Sequence, residues 1–219
     1  LSISAATVDL DGNGSQDALP LGTPTAVTDN LGNPIGTLTV NANGSYSFTP
    51  AANYTGPGPV ITYTVSDGNG GTNTSTLTLS MVPVNDAPVG VNDTIPVTED
   101  TPVTQNVLGN DTDAEGDPLT IAAASIDLDG DGTADVLTLG TPTVITDGGG
   151  NPIGTITVAA DGTVTFSPAP NYVGPIPPLT YTPSDGTTTG APATVSFGPI
   201  TPVNDAPVGV NDTIPVTED

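Results

Sequence analysis

The stretch TITVAADGTVTFSP (155–168) alternates apolar and polar residues on both sides of an Asp-Gly pair. A period of two puts every second side chain on one face of a strand, and Asp-Gly between two such runs signals a β-hairpin. TLTVNANGSYSFTP (37–50) repeats the pattern with Asn-Gly. Further strands are predicted at Thr94–Thr98, Pro102–Leu108, Pro118–Ile126, Pro178–Thr182 and Ala193–Pro199. No segment keeps a helical period over a useful length, and the 24 prolines would interrupt any candidate helix. Short strands between Gly- and Pro-rich loops predict an all-β chain built of β-sandwich domains.

The hairpin occurs twice because the sequence does. PVNDAPVGVNDTIPVTED is identical at Pro83–Asp100 and Pro202–Asp219, a period of 119. LGTPTAVTDNLGNPIGTLTV (21–40) matches LGTPTVITDGGGNPIGTITV (139–158) at an offset of 118, as YTVSDG (63–68) matches YTPSDG (181–186). A repeat of this length suits a sandwich domain and is too long for one turn of a solenoid. The expected domains are 1–84, a repeat lacking its first strands, 85–203, a complete repeat, and 204–219, the first strand of the next. The absence of an initiating Met is expected of a window cut from a longer protein.

Among 219 residues there are 24 acidic side chains and no Lys, Arg, His, Cys or Trp, giving a net charge of −24. Twenty-one of the acids are Asp and 3 are Glu. No salt bridge to a basic side chain can offset this charge, so the folded chain must repel itself or bind counterions. Nucleic-acid binding is excluded, since no side chain can neutralise a phosphate. No apolar run approaches the roughly 20 residues of a membrane span. Without Cys there are no disulfides, and with 8 aromatic residues each core is lean. Any staple must come from metal or packing.

Asp in Gly-rich loops suits oxygen-ligand cations. Asp9, Asp11, Asn13, Gly14, Ser15 and Asp17 form a DxDxNGxxD loop, repeated as DxDxDGxxD by Asp127, Asp129, Asp131, Gly132, Thr133 and Asp135. Both fit D-x-[DN]-x-[DN]-G, the first half of an EF-hand loop, with Gly at the sixth position for the sharp turn. Ser15 and Thr133 would offer backbone carbonyls. No Glu follows at position 12, so this is a shorter loop, expected to link two strands and to bind Ca²⁺. A set of hard oxygen ligands without His or Cys argues against zinc and copper.

A second acidic set surrounds the repeat junction: Asn85, Asp86, Glu99, Asp100, Asn110, Asp111, Asp113, Glu115, Asp117, Asn204 and Asp205. Six carboxylates between Glu99 and Asp117 are unfavourable without a cation. Asp67 and Asp185, in SDG turns, suit the role of turn residue as well as that of ligand.

PVNDAPV followed by TEDTPV, NDTDAEGDPLT, GTVTFSPAPNYVG and YTxSDG resembles the bacterial cadherin-like or immunoglobulin-like repeats of giant secreted adhesins. The resemblance covers essentially the whole chain. It implies tandem β-sandwiches arranged end to end, stiffened by calcium, serving as extenders of surface or biofilm adhesins. The NDAP element is similar to the linker of animal cadherins, which implies junction sites at Asn85, Asp86, Asn204 and Asp205. If the strands run as in cadherins, Asp111–Asp117 would face Asn204 and Asp205. Two features depart from the resemblance. The DxD loops look like insertions, and GPGPV (56–60) and GPIPP (174–178) replace an Asp and an aromatic.

The expected role is a calcium-stabilised extracellular stalk, with neighbouring repeats of the same chain as its partners. The alternative is the subunit of a self-assembling filament, in which the incomplete first domain takes a strand from an identical chain by β-augmentation. A sugar- or ice-binding face would need aromatic or Thr-rich surfaces, but Thr is also an ordinary strand residue. Enzymatic acid–base work could rest only on carboxylates or Tyr, and Asp pairs in Gly loops are better explained as metal ligands.

Overall fold

The computed structural model describes residues 1–207 and 209–215. Its strands, in order, are β1 (Ser2–Val8), β2 (Asp17–Ala18), β3 (Thr25–Thr28), β4 (Pro34–Val40), β5 (Tyr46–Pro50), β6 (Val60–Ser66), β7 (Thr72–Thr78) and β8 (Asp93–Ile95). They continue as β9 (Val103–Asn106), β10 (Thr120–Ile126), β11 (Asp135–Val136), β12 (Thr143–Thr146), β13 (Pro152–Val158), β14 (Thr163–Pro168), β15 (Leu179–Ser184) and β16 (Ala193–Phe197). No helix occurs among the described residues. The protein is all-β, as its alternation and proline content require.

The opening hairpin is β13–β14. Its inward row, Ile156, Val158, Val164 and Phe166, is at most 1% exposed. The turn is a three-residue loop: Gly162 N–H bonds to Ala159 O at 3.1 Å, and Ala159 N–H bonds to Thr163 O at 2.8 Å. Gly162 sits at φ +88°, the left-handed position that ends such a loop and favours glycine. Asp161 Oδ1 accepts the Thr163 N–H at 2.9 Å and closes the turn.

The chain divides into two units, one of Leu1–Ala87 with Asp113–Asp117, the other of Pro88–Thr112 and the residues from Pro118 onward. Unit 2 has a five-stranded sheet, β11-β10-β15-β16-β8, and a four-stranded sheet, β12-β13-β14-β9. Every pairing in it is antiparallel except β16 with β8. Its core joins Ile95, Val97, Ile126, Phe166, Leu179 and Tyr181, each at most 1% exposed. The Phe166 and Phe197 rings lie 5.3 Å apart, tilted by 43°. Unit 1 has the sheets β2-β1-β6-β7 and β3-β4-β5, the same pattern without counterparts of β8 and β9. Its buried cluster is Ala6, Val8, Leu19, Val27, Leu38, Val40 and Ile61.

Two predicted features take a different form. The strand expected at Thr94–Thr98 stops at Ile95, because Pro96 has no N–H to continue the ladder. β3 and β12, flanked by Gly and Pro, were not expected. The Pro-rich stretches form no strand, apart from Val60, which opens β6. There the hydroxyl of Tyr54 donates to Pro57 O at 3.0 Å, and that of Tyr172 to Pro175 O at 2.6 Å. Each ring lies over Gly56 or Gly174, where a Cβ would strike it. Of 204–219, the described residues form no strand, and Val208 and 216–219 lie outside them.

Truncating Phe166 to Ala in a filled core should cost about 3–5 kcal/mol. Its counterpart Phe48 is only partly buried, so Phe48→Ala should cost clearly less. Denaturant unfolding followed by circular dichroism checks both.

Candidate metal centre

Each DxD loop joins two paired strands. Val8 pairs with Asp17 and Ile126 with Asp135, so the loops 9–16 and 127–134 close short hairpins between β1 and β2 and between β10 and β11. Pairing places the first and last aspartates of each loop at its base.

Backbone amides shape the rest. Asp9 Oδ2 accepts Gly14 N–H at 2.8 Å, and Asp127 takes Gly130 and Gly132 N–H at 2.7 and 2.9 Å. Asn13 holds Ser15 N–H at 2.7 Å and Asp131 holds Thr133 N–H at 2.6 Å. Asp11 and Asp129 each accept an N–H two residues on, at 3.2 Å. Asp17 and Asp135 reach back to Leu10 and Leu128 N–H, both at 3.1 Å. Gly14 and Gly132, the glycines singled out by the motif, have φ of +85° and +86°. Gly12 and Gly130 are needed for another reason. A Cβ on either would collide with the backbone of Asp29–Asn30 or Asp147–Gly148.

One carboxylate oxygen from each of Asp9, Asp11 and Asp17 lies within 4.8 Å of the others, and Asp127, Asp129 and Asp135 do the same. Like charges at that separation repel by roughly 1–3 kcal/mol per pair, depending on solvent exposure. Asp9 Oδ1 is buried with no hydrogen-bond partner. An acceptor-only oxygen left orphaned beside two further carboxylates, in a chain without a basic side chain, fits a hard divalent cation such as Ca²⁺. Asp131, though in the motif, turns to the Thr133 amide.

The junction residues divide into two groups. Glu99, only 4% exposed, is gathered with Asp100 and Asp205, again within 4.8 Å. Glu99 Oε2 accepts Val203 N–H at 2.7 Å, and Glu99 N–H bonds to Thr201 O at 3.0 Å. Asp100, at φ +58°, accepts Asn171 N–H at 3.1 Å. In the other group Glu115 Oε2 accepts Asp86 N–H at 3.0 Å. Asp113 Oδ1 takes the Glu115 and Asp117 amides at 3.0 and 3.1 Å, leaving Oδ2 buried and unpartnered. Asn85 and Asn204 make the same local bond, to Asp86 O and Asp205 O at 3.0 and 3.4 Å.

The loop Asp111–Asp117, expected to face Asn204 and Asp205, makes hydrogen bonds to Asp86 and Val89. Val89 and Thr112 exchange both backbone hydrogen bonds, at 2.8 and 3.1 Å. That bridge brings the loop back beside the linker it follows, where Glu115 meets Asp86. Asp205 meets Glu99 and Asp100.

Asp111 is taken up elsewhere. Its Oδ1 accepts Val91 N–H at 2.7 Å, and both its oxygens lie 3.0–3.1 Å from the Tyr181 hydroxyl. That hydroxyl also lies 3.0 Å from Val107 O and 3.4 Å from Asp93. Burial and the two carboxylates push the Tyr181 phenol well above its ordinary range. Tyr181 and Asp93 were not among the predicted polar sites, since nothing in YTPSDG marks the tyrosine as buried. Asp67 and Asp185 are turn residues here: Asp67 accepts Asn69 and Gly71 N–H at 2.8 and 2.9 Å, Asp185 Thr187 and Thr188 N–H at 2.6 and 2.7 Å.

A family model of the bacterial cadherin-like domain matches residues 1–83 and 85–201. The chain belongs to that family. Comparison with curated protein sequences finds no match. Among solved structures, this cadherin-like chain is similar to an endo-fucoidan hydrolase of glycoside hydrolase family 107, at 17% identity and TM-score 0.28, over 84% of this chain and 28% of that one. It is similar to domains 1–6 of surface layer protein SbsC at 16% identity and TM-score 0.31, over 94% and 29%. A biofilm-associated protein BSP domain shares 16% identity at TM-score 0.21, over 90% and 34%. The chain thus spans about a third or less of each of these structures, and superpositions of this quality carry no functional argument.

Burial, with the charge of Asp111, holds the Asp93 carboxyl above the ordinary carboxylate range, against the hydrogen bonds of Tyr181 and Asn110. The folded unit therefore holds this proton more tightly than the unfolded chain. The stability Asp93 contributes is fully present below its unfolded pKa of about 3.9 and is lost as pH rises through the higher folded value. Asp93→Asn should raise the melting temperature at neutral pH, and the gain should vanish in acid. Thermal melts across that pH range check it.

Proposed function

We propose that this cadherin-like chain is a calcium-stabilised extracellular stalk, a run of repeats that separates a binding element from the surface bearing it. The observation that carries it is the gathering of three carboxylates at the same place in both repeats, with the orphaned Asp9 Oδ1. Asp9, Asp11 and Asp17 would hold one Ca²⁺, and Asp127, Asp129 and Asp135 a second. Glu99, Asp100 and Asp205 form a third candidate set at the junction. The ion supplies positive charge where the chain has none, and so locks Gly-rich loops that would otherwise open. Metal binding of this kind is coupled to folding. A chain kept loose in low calcium can be exported and then stiffen in the calcium-rich medium outside.

Calcium at a hundredfold excess over its dissociation constant should stabilise a site by about 2.7 kcal/mol. The melting temperature should therefore fall on chelation and recover with Ca²⁺. A melting curve unmoved by chelator overturns the calcium role. Asp129→Asn separates metal from mere charge. It should lower the melting temperature in calcium, yet leave it unchanged or raised in chelator, where one like charge has been removed.

A further inference from the structure

In unit 2 the loop between β10 and β11, the turn between β12 and β13 and the Pro-rich stretch between β14 and β15 line a cleft of about 540 Å³. Its walls include Asp127, Asp147, Ile153, Tyr172, Pro175 and Ile176. Five of these six recur unchanged 118 positions earlier, where Asp9, Asp29, Ile35, Tyr54 and Pro57 line a cleft of about 450 Å³ in unit 1. No wall residue comes from β8 or β9, so unit 1, which has no counterpart of either, keeps the cleft. The opening is thus a property of the repeat.

The walls are held in place. Gly130 packs so closely on the backbone of Asp147 and Gly148 that a Cβ would collide, which sets the two acidic turns side by side. The Tyr172 hydroxyl is tied to Pro175 O, and its ring lies over Gly174. Asp147 Oδ1 accepts the Gly149 and Asn151 amides at 2.9 and 2.8 Å, and Oδ2 accepts the Asn151 side-chain amide at 3.0 Å. Bonds from Asn151 and Gly149 hold this carboxyl below the ordinary range, so it stays ionised. Burial, with the charge of Asp147, raises the Tyr172 phenol, which puts that charge near the ring. Unlike Asp127, Asp147 belongs to none of the gathered carboxylate sets among the described residues, and the chain has no basic side chain to pair with it. The cleft therefore joins two anionic turns to apolar walls of Ile, Pro and Tyr.

We infer that these clefts receive arginine side chains of a partner protein. In unit 2 the aliphatic stem lies against Ile153 and Ile176, and the guanidinium reaches Asp127 and Asp147 beside the Tyr172 ring. A long basic side chain matches both halves of the lining, because its stem is apolar and only its head is charged. Arginine suits the walls better than lysine. Its planar fork of five donors can engage two carboxylates and stack on an aromatic face, and it gives up water more readily than an ammonium does. A chain of net charge −24 repels an anionic polymer and steers a basic partner toward itself. A neutral sugar would leave the charge of Asp147 unanswered. Calcium bound at Asp127 would take up part of that residue's charge and leave Asp147 charged. The inference therefore goes beyond the stalk role and does not rest on metal binding.

The test uses the full chain, with N-acetyl-arginine amide as the probe and amide NMR shifts as the readout. It is run at a constant ionic strength of about 0.15 M, where charges further than roughly 8 Å away are screened, once with calcium and once with chelator. Saturable shifts should appear at Gly130, Gly148 and Ile176 and at their unit 1 counterparts. The citrulline analogue, an uncharged isostere, should produce none at the same concentrations. Asp147→Asn keeps an oxygen to accept the turn amides and should weaken binding at the unit 2 cleft roughly three- to tenfold. The unit 1 cleft, which still has Asp29, should be unaffected. Asp161→Asn removes the same charge outside the cleft, where the first repeat already has Asn43, and should leave both affinities unchanged. The inference is overturned by an absence of saturable shifts, by citrulline binding as tightly as arginine, or by equal losses in Asp147→Asn and Asp161→Asn. A calcium effect on melting without probe binding defeats this inference alone; probe binding with a melting curve unmoved by chelator defeats only the calcium role.

Discussion

Twenty-four carboxylates share a chain with no basic side chain, and the positive partner they find most often is the backbone amide. Asp29 and Asp147 each take the N–H two residues on and the N–H and side-chain amide of the Asn four residues on. Those side-chain and backbone bonds hold both carboxyls below the ordinary range, and backbone bonds do the same for Asp67. The turns are therefore written in Asp, Asn and Gly: one residue accepts, and the others leave their amides free to donate. Where amides run out, as at Asp9 Oδ1 and Asp113 Oδ2, an oxygen stays orphaned. Where turns converge, three carboxylates crowd together.

The two repeats act as a controlled comparison, since nearly the same strands occur with and without β8 and β9. Ile156 and Leu38, at the centres of their hairpins, are fully buried in both. Differences concentrate at the margin: Val164 is buried while its counterpart Tyr46 is 53% exposed. The hairpins thus carry their own local order, and the flanking strands supply most of the remaining core. This is why a lean sequence with 8 aromatic residues can still close unit 2.

Much of this could be read from residue order. Alternation with Asn-Gly and Asp-Gly turns located the hairpins, because strand period and turn chemistry are local properties. The spacing of Asp9, Asp11 and Asp17 anticipated their convergence, since a loop between two paired residues must return on itself. Longer-range features were hidden. Nothing local reveals that Asp111 is spent on Tyr181, seventy residues away in sequence, or that the Val89–Thr112 bridge turns Glu115 toward Asp86. Gly12 and Gly130 were passed over because the turn they abut lies 18 residues further on, at Asp29–Asn30 and Asp147–Gly148.

The parallel pairing of β8 with β16 has a mechanical consequence. β8 lies near the start of unit 2 and β16 near its end, and three residue pairs plus the Thr98–Thr201 bridge tie the two segments together. Tension on the two ends of the unit pulls these segments past one another along their length. The bonds of a parallel ladder are evenly spaced, so they share that load and yield together, not one after another as a hairpin does when peeled from its end. A unit fastened in this way resists stretching at the point where force enters, before the core behind it is disturbed.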